Sequence, residues 1–219
     1  IVTVPNIANI FFSNVILGVE EAAQSTGYTV LLGDLGFNSR NEDSYAEMLR
    51  RKEADGLIFL GHNLPASIQE MIANRGTTAP IVNGCEFNDR LGVSSVHIDN
   101  AGAAQDVMDY LYSLGHRCIG IITGKLNSPI SRDRLVGVKA SALKHGHKDD
   151  IKILIGDFSA ESGNTLASHM LSSSSRPTAI FCFSDDMALG ALHAVHQMGL
   201  DCPRDVSVIG FDDIHIASF

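Results

Sequence analysis

Short apolar runs alternate with amphipathic stretches along all 219 residues of this chain, and that alternation constrains the fold more than any other feature. The runs fall at residues 1–4, 28–32, 56–60, 81–82, 96–98, 118–122, 151–155, 179–183 and 206–210. Most are nearly continuous in apolar residues, as strands buried on both faces of a parallel sheet must be. Between them the apolar residues take helical spacing. The first such stretch carries Phe12, Val15, Ile16, Val19, Ala22 and Ala23, and later ones centre on 46–50, 68–72, 107–111, 136–143, 166–171 and 189–195. Strand and helix alternating over the whole length predict an α/β fold with parallel sheets.

The ends of the helices are chemically marked. Gly27, Gly115 and Gly199 each follow an amphipathic run, where a left-handed C-terminal residue is wanted. Asp99 and Asn100 precede one helix and Ser184 another, both good N-cap chemistry. Residues 9–33 and 97–122 share the order helix, glycine, aromatic or histidine, strand, with Gly115 in the place of Gly27. This weak repeat predicts two similar lobes, 1–99 and 100–219, joined near residues 99–102.

Charge and cysteine usage exclude several classes. With 16 basic against 25 acidic residues the net charge is −9, so this segment is not expected to wrap nucleic acid by itself. Cys85, Cys118, Cys182 and Cys202 are widely spaced with no C-x-x-C pair, which suits thiols in a reducing, cytoplasmic compartment. No apolar stretch approaches the ~20 residues of a membrane span. The N-terminus has no charged leader segment and reads as a strand in mid-flow, so a trimmed piece of a longer protein is expected.

Ligands of open parallel sheets bind at the carboxyl ends of the strands. The residues just after the runs are Asn6, Asn9, Gly33, Asp34, Gly61, His62, Asn63, Glu86, Gly124, Lys125, Phe158, Ser184, Asp185, Asp186, Asp212 and Asp213. Such side chains orient a hydroxyl-rich or amide-rich ligand, although loops are polar in any case. Asp185 and Asp186 could instead complement a helix N-terminus, whereas Asp212 and Asp213 close an apolar strand and need partners there. Phe12 is in register with the core stripe; Phe11 shares its face with Asn14 and Gly18, leaving it to serve either core or ligand. Arg134 follows the loop GKLNSPISRD and reads as lying in the first turn of its helix, where a cation opposes the macrodipole. It either grips ligand oxygens with its guanidinium fork or pairs with Asp133 at the surface. The sequences G-x-G-x-x-G after the first run, G-x-x-x-x-G-K-[ST], G-x-S-x-G and H-E-x-x-H are all absent, so no catalytic residue, cofactor or metal site is expected. His145 and His147 in GHKDD read as a surface loop.

Taken in order, VPNIANIFFSNVILGVEEAAQSTGYTVLL, ADGLIFLG, VHIDNAGAAQDVMDYLYSLGHRCIGIITG, RLVGVKAS, GDFSAESG, PTAIFCFSDDMALGALHAVHQMGL and PRDVSVIGFDDI span Ile1 to Ile214. Together they resemble the effector-binding core of the lactose-repressor family of bacterial transcription regulators. The HIDN, GDF and FC-S-D-MALGAL stretches look most like its cytidine-responsive repressors. The resemblance implies a two-lobed periplasmic-binding-protein-like fold (type I), each lobe a doubly wound parallel sheet, with an effector held between the lobes. It implies homodimers that bind operator DNA through an N-terminal helix-turn-helix, a segment expected before Ile1. It also implies a closing strand and helix beyond Phe219. By the same resemblance Phe11 and Phe12 match the family's aromatic pair, and Arg134 the arginine that grips the ligand. Phe158 matches the stacking aromatic, Ser184 and Asp185 the Asn-Asp type pair, and Asp212 the acid of G-[FY]-D. Glu86 is a weaker candidate. The family's N-P-F-F reads Asn9-Ile10-Phe11-Phe12 here, so a differently shaped entry to the first helix is expected.

The leading expectation is therefore a repressor core that senses a nucleoside, cytidine first, and not an enzyme. A transport protein binding a sugar or nucleoside would share the fold, and a nucleoside hydrolase would need the four aspartates as its carboxylates.

Overall fold

The computed structural model describes residues 1–35, 42–62, 64–74, 79–86 and 92–218, and the chain divides into two compact units, Ile1–Ile98 and Asp99–Phe219. The first unit runs β1 (Val2–Val4), α1 (Phe11–Ser25), β2 (Leu32–Asp34), α2 (Glu42–Arg50), β3 (Leu57–Leu60), α3 (Ala66–Ala73), β4 (Ile81–Gly84) and β5 (Ser94–Val96). Its strands lie in the order β2-β1-β3-β4-β5, every pair parallel. The chain winds outward from β1 to β2 and then back over β1 to β3, so right-handed crossovers place helices on both faces. The core follows the strand alternation. Leu57 and Phe59 face a cluster with Ala46, Leu49, Leu64, Ile68 and Met71. Leu60 faces the other way, onto Val2, Val4 and Phe12.

The second unit runs α4 (Asn100–Ser113), β6 (Ile119–Thr123), α5 (Pro129–Lys144), β7 (Ile151–Ile155), α6 (Ala160–Leu171), β8 (Ala179–Cys182), α7 (Asp185–Gln197) and β9 (Ser207–Ile209), with a 3-10 turn at His215–Ser218. Its order β7-β6-β8-β9 is again all parallel and winds the same way. Helix α4 packs on α5 and α6 on α7. Central β6 and β8 are buried along their whole length, which is why both read as unbroken apolar runs. Edge strand β7 is only half-buried.

Two sequence expectations are corrected. The run at 28–32 is not a strand over most of its length: β2 begins at Leu32, opposite Val2. Leu31 contributes only its carbonyl, which accepts from Val2 N–H at 2.8 Å, and the side chains of Tyr28 and Leu31 are exposed. Arg134 is not in a first turn either. Helix α5 starts at Pro129, whose fixed φ and missing N–H suit a first helical position, and Arg134 lies beyond its first turn. Gly27, Gly115 and Gly199 all take positive φ, at 79°, 92° and 69°. Asp99 caps α4 by accepting from Gly102 N–H at 2.8 Å, and Ser184 caps α7 by accepting from Met187 N–H at 3.2 Å. Cys118, Cys182 and Cys202 are in no disulfide.

Candidate functional site

In the second unit, the residues that follow β8 and β9 converge on Arg134. Its side chain is 5% exposed, and a buried guanidinium must be surrounded by acceptors. Nε donates to Asn100 Oδ1 at 2.9 Å, and one terminal nitrogen donates to the carbonyl of Phe183 at the end of β8. The guanidinium carbon lies 3.5 Å from the centre of the Phe211 ring, a cation–π contact. The other terminal nitrogen is 3.8 Å from Asp212 Oδ1. The partner expected at the surface, Asp133, is not the one the structure supplies.

Asp212 sits in the turn that leaves β9, with its side chain 13% exposed. Burial raises its carboxyl far above the usual range, and the nearby Asp185 and Asp186 add to that. Arg134 opposes them, leaving a value of about 7. The acid therefore changes charge near neutrality. The turn is held from behind by Asp185, whose Oδ2 accepts from Ile214 N–H at 2.9 Å. Its other oxygen presses so closely on Gly210 that an added Cβ there would lie 2.0 Å away. Glycine is thus the residue that lets the carboxylate dock. Asp213 points to solvent and is exposed, so the two adjacent acids meet opposite environments. Asp186, in the first turn of α7, is raised by burial and by Asp185.

Phe158 is half-buried and left-handed, φ 71°. Asp157 Oδ1 accepts from both the N–H and the hydroxyl of Ser159, at 3.0 and 2.6 Å, folding the chain around it. These bonds also lower the Asp157 carboxyl. The Phe158 ring lies against Gly124, just after β6, where an added Cβ would overlap it at 2.1 Å. Asp212 and Asp213 are also at positive φ, 112° and 54°. Backbone strain of this kind gathers at ligand clamps, and here it falls on three residues at the carboxyl ends of the strands.

In the first unit, Phe12 is buried beside Val2, Val4 and Leu60, with half-buried Phe11 edge-on to it at 5.2 Å between ring centres. The entry to α1 departs from a usual cap: Ile10 takes the cap position without a side-chain bond, and Asn9 Oδ1 instead accepts from Phe11 N–H at 2.9 Å. At the ends of β3 and β4, His62 Nδ1 and Glu86 Oε2 are 2.7 Å apart. Their neighbour Cys85 has φ 68°. Asn63 lies outside the described residues. His145 and His147 lie in the surface loop after α5, as the sequence suggested, and there they lie against the Tyr112 ring at 4.7 and 5.3 Å and pair with Asp109 and Asp150. Among the described residues, no three His, Cys, Asp or Glu side chains are placed to hold a metal. No helix among them is long and apolar enough to cross a membrane.

Sequence reasoning missed Asn100 and Phe211 as parts of the arginine's setting. Asn100 was legible only as cap chemistry, and Phe211 only as the strand residue of GFDD.

The family model for periplasmic binding proteins and the sugar-binding domain of the LacI family matches residues 1–218. The chain is 39% identical over 222 residues to the HTH-type transcriptional repressor CytR of Escherichia coli K12, covering all of this chain and 64% of that protein. It is 36% identical over 216 residues to the HTH-type transcriptional repressor PurR of Salmonella newport, covering 95% of this chain and 62% of that protein. Among solved structures, a LacI-family transcriptional regulator from Enterococcus faecium with bound ribose is similar at a TM-score of 0.85 and 25% identity. That match covers 99% of this chain and 78% of the other. The chain thus spans a little under two thirds of the length of these two repressors.

Proposed function

The chain belongs to the family of periplasmic binding proteins and LacI-family sugar-binding domains, and from that premise we propose that it is the effector-sensing core of a transcriptional repressor. It binds a nucleoside, cytidine first, and thereby modulates operator DNA binding by a cytoplasmic homodimer whose helix-turn-helix lies outside this sequence. The observation that carries the reading is the Arg134–Asp212 pair, buried at the carboxyl ends of parallel strands and presented by a strained turn. In this reading the two side chains hold ribose hydroxyls, the guanidinium donating and the ionised carboxylate accepting. Phe158 stacks on the flat part of the ligand; in the first unit half-buried Phe11, backed by buried Phe12, is the aromatic candidate. Ser184 and Asp185 act by shaping the site, since the hydroxyl already caps α7 and the carboxylate already holds the turn after β9. The ribose in the Enterococcus faecium regulator supports a pentose as the common part of the ligand. Effector binding alters DNA affinity only if it favours one conformation of the repressor over another.

The test is a thermal-shift series with cytidine, uridine, adenosine, guanine, ribose and several hexoses. A ligand at about 100 times its Kd stabilises the folded state by about 2.7 kcal/mol, enough to raise Tm by several degrees. The expected result is a shift with cytidine that Arg134→Ala and Asp212→Ala abolish. A shift with a hexose in its place would keep the fold and replace the ligand, favouring a sugar-binding protein.

A further inference from the structure

The arginine of the site is held in place by a residue on a different helix. Asn100 is the first residue of α4 and is 5% exposed. It is not needed as the cap of that helix, because Asp99 already accepts from Gly102 N–H. Its side-chain oxygen instead reaches α5 and accepts from Arg134 Nε at 2.9 Å. The two helices can bring these groups together because they touch backbone to backbone one turn further on. At Gly137 an added Cβ would lie 2.0 Å from the carbonyl oxygen of Ala101 and 3.0 Å from Gln105 N. A glycine is therefore required where α5 crosses α4, one turn from the arginine it serves.

A guanidinium is planar, so fixing two of its nitrogens fixes the rest. Asn100 holds Nε, the Phe183 carbonyl holds one terminal nitrogen, and the Phe211 ring covers one face. The second terminal nitrogen lies on the edge towards Asp212. We infer that Asn100 is a positioning residue: its side-chain carbonyl sets the plane of Arg134 so that one edge faces a ligand oxygen beside Asp212. This rests on the effector-binding reading above, and it adds a residue that need not touch the effector.

The experiment compares the unaltered chain with Asn100→Ala, Asn100→Ser and Asn100→Asp. Alanine removes the acceptor, serine is too short to span to Arg134, and aspartate keeps an acceptor oxygen in place. Two readouts are taken: cytidine affinity, and solvent exchange of the Arg134 Nε–H, assigned by its loss in Arg134→Lys. A hydrogen bond to a buried charge is worth about tenfold to a hundredfold in binding. The expected result is a loss of that size in the alanine and serine variants, with Nε–H exchange faster in both. The aspartate variant should stay within about threefold of the original affinity with a slowly exchanging Nε–H. Unchanged affinity and exchange in Asn100→Ala would overturn the inference. So would an equal loss in Asn100→Asp at unchanged Tm. Should the alanine variant fail to fold, the serine variant carries the comparison. If the unaltered chain binds none of the probes, the effector reading falls on its own, and Nε–H exchange still decides whether Asn100 holds Arg134.

Discussion

The two units repeat one winding but are built to different standards. In the second, a single cluster runs from α4 and α5 through β6 and β8 to α6 and α7. In the first, the sheet separates two small clusters. Helix α1 has 15 residues and buries just Phe12, while α4 buries five of its 14. Capping follows the same division. Helices α4, α6 and α7 each carry a side-chain cap, and α5 opens on proline, whereas the cap residues of α1 and α3 make no side-chain bond. The buried arginine and its strained turn belong to the better-packed unit. A charge with several fixed acceptors needs surroundings that do not relax around it, and dense packing provides them.

The hardest test of this difference is to cut one phenylalanine from each core. Phe181 is fully buried in β8, and Phe181→Ala should cost about 3–5 kcal/mol by leaving a cavity that rigid neighbours cannot fill. Phe12 has a thinner shell, which collapses more readily, so Phe12→Ala should fall at or below about 3 kcal/mol. Urea unfolding followed by hydrogen exchange at each strand separates the two. Amides of β6 and β8 should exchange slowest, and those of edge strands β2 and β5 fastest. Equal losses, or equal protection in the two sheets, would remove the contrast.

The same contrast explains what the sequence disclosed. Strands buried on both faces must be apolar throughout, so β6 and β8 stood out as unbroken runs, and glycines at helix ends announced their left-handed geometry. Strand β2 was misjudged because its pairing with β1 begins only at Leu32, and pairing register is not recorded in local composition. The beginning of α5 was hidden by the polar residues around it, although Ser128 followed by Pro129 is a legible helix start. The surroundings of Arg134 were beyond reach for a different reason. Asn100, Phe183 and Phe211 come from three distant parts of the chain, and only the packing of α4 on α5 and of β8 beside β9 unites them. The lock between Asp185 and Ile214 N–H is equally non-local.

A second test asks what the better-packed unit loses by burying an acid. The Asp212 carboxyl is raised to about 7 in the folded chain, against about 3.9 when unfolded. The folded state therefore holds the proton more tightly. That stabilisation is complete below about pH 4 and is lost as pH rises through about 7. Asp212→Asn mimics the protonated form, and asparagine tolerates the positive φ of this position. Its stability should match that of the unaltered chain below about pH 4 and exceed it by a margin that grows up to about pH 7 and then stays constant. Denaturant midpoints across that range measure the difference. A variant less stable at pH 8 would mean that attraction to Arg134 outweighs burial and the neighbouring carboxylates. In the effector reading, cytidine affinity should rise through the same interval, because the ionised carboxylate is the stronger acceptor for a hydroxyl.

The smallest expected effect concerns the caps. Asp99→Ala removes the side-chain bond to Gly102 N–H, leaving a donor at the start of α4 without its partner, at a cost of about 1 kcal/mol. In the first unit Asn9→Ala removes the corresponding bond to Phe11 N–H. Since α1 is mostly exposed, water can take over that donor, and the cost should be smaller, about 0.5 kcal/mol. The site sharpens the comparison further. Asp99 immediately precedes Asn100, so fraying the first turn of α4 should loosen the grip on Arg134 and weaken cytidine binding, while Asn9→Ala leaves the Arg134 Nε–H exchange unchanged. Titration of both variants with cytidine, beside their unfolding curves, tests this. A loss of affinity in Asp99→Ala larger than its loss of stability would show that the first turn of α4 matters through the arginine it orients as well as through the helix it begins.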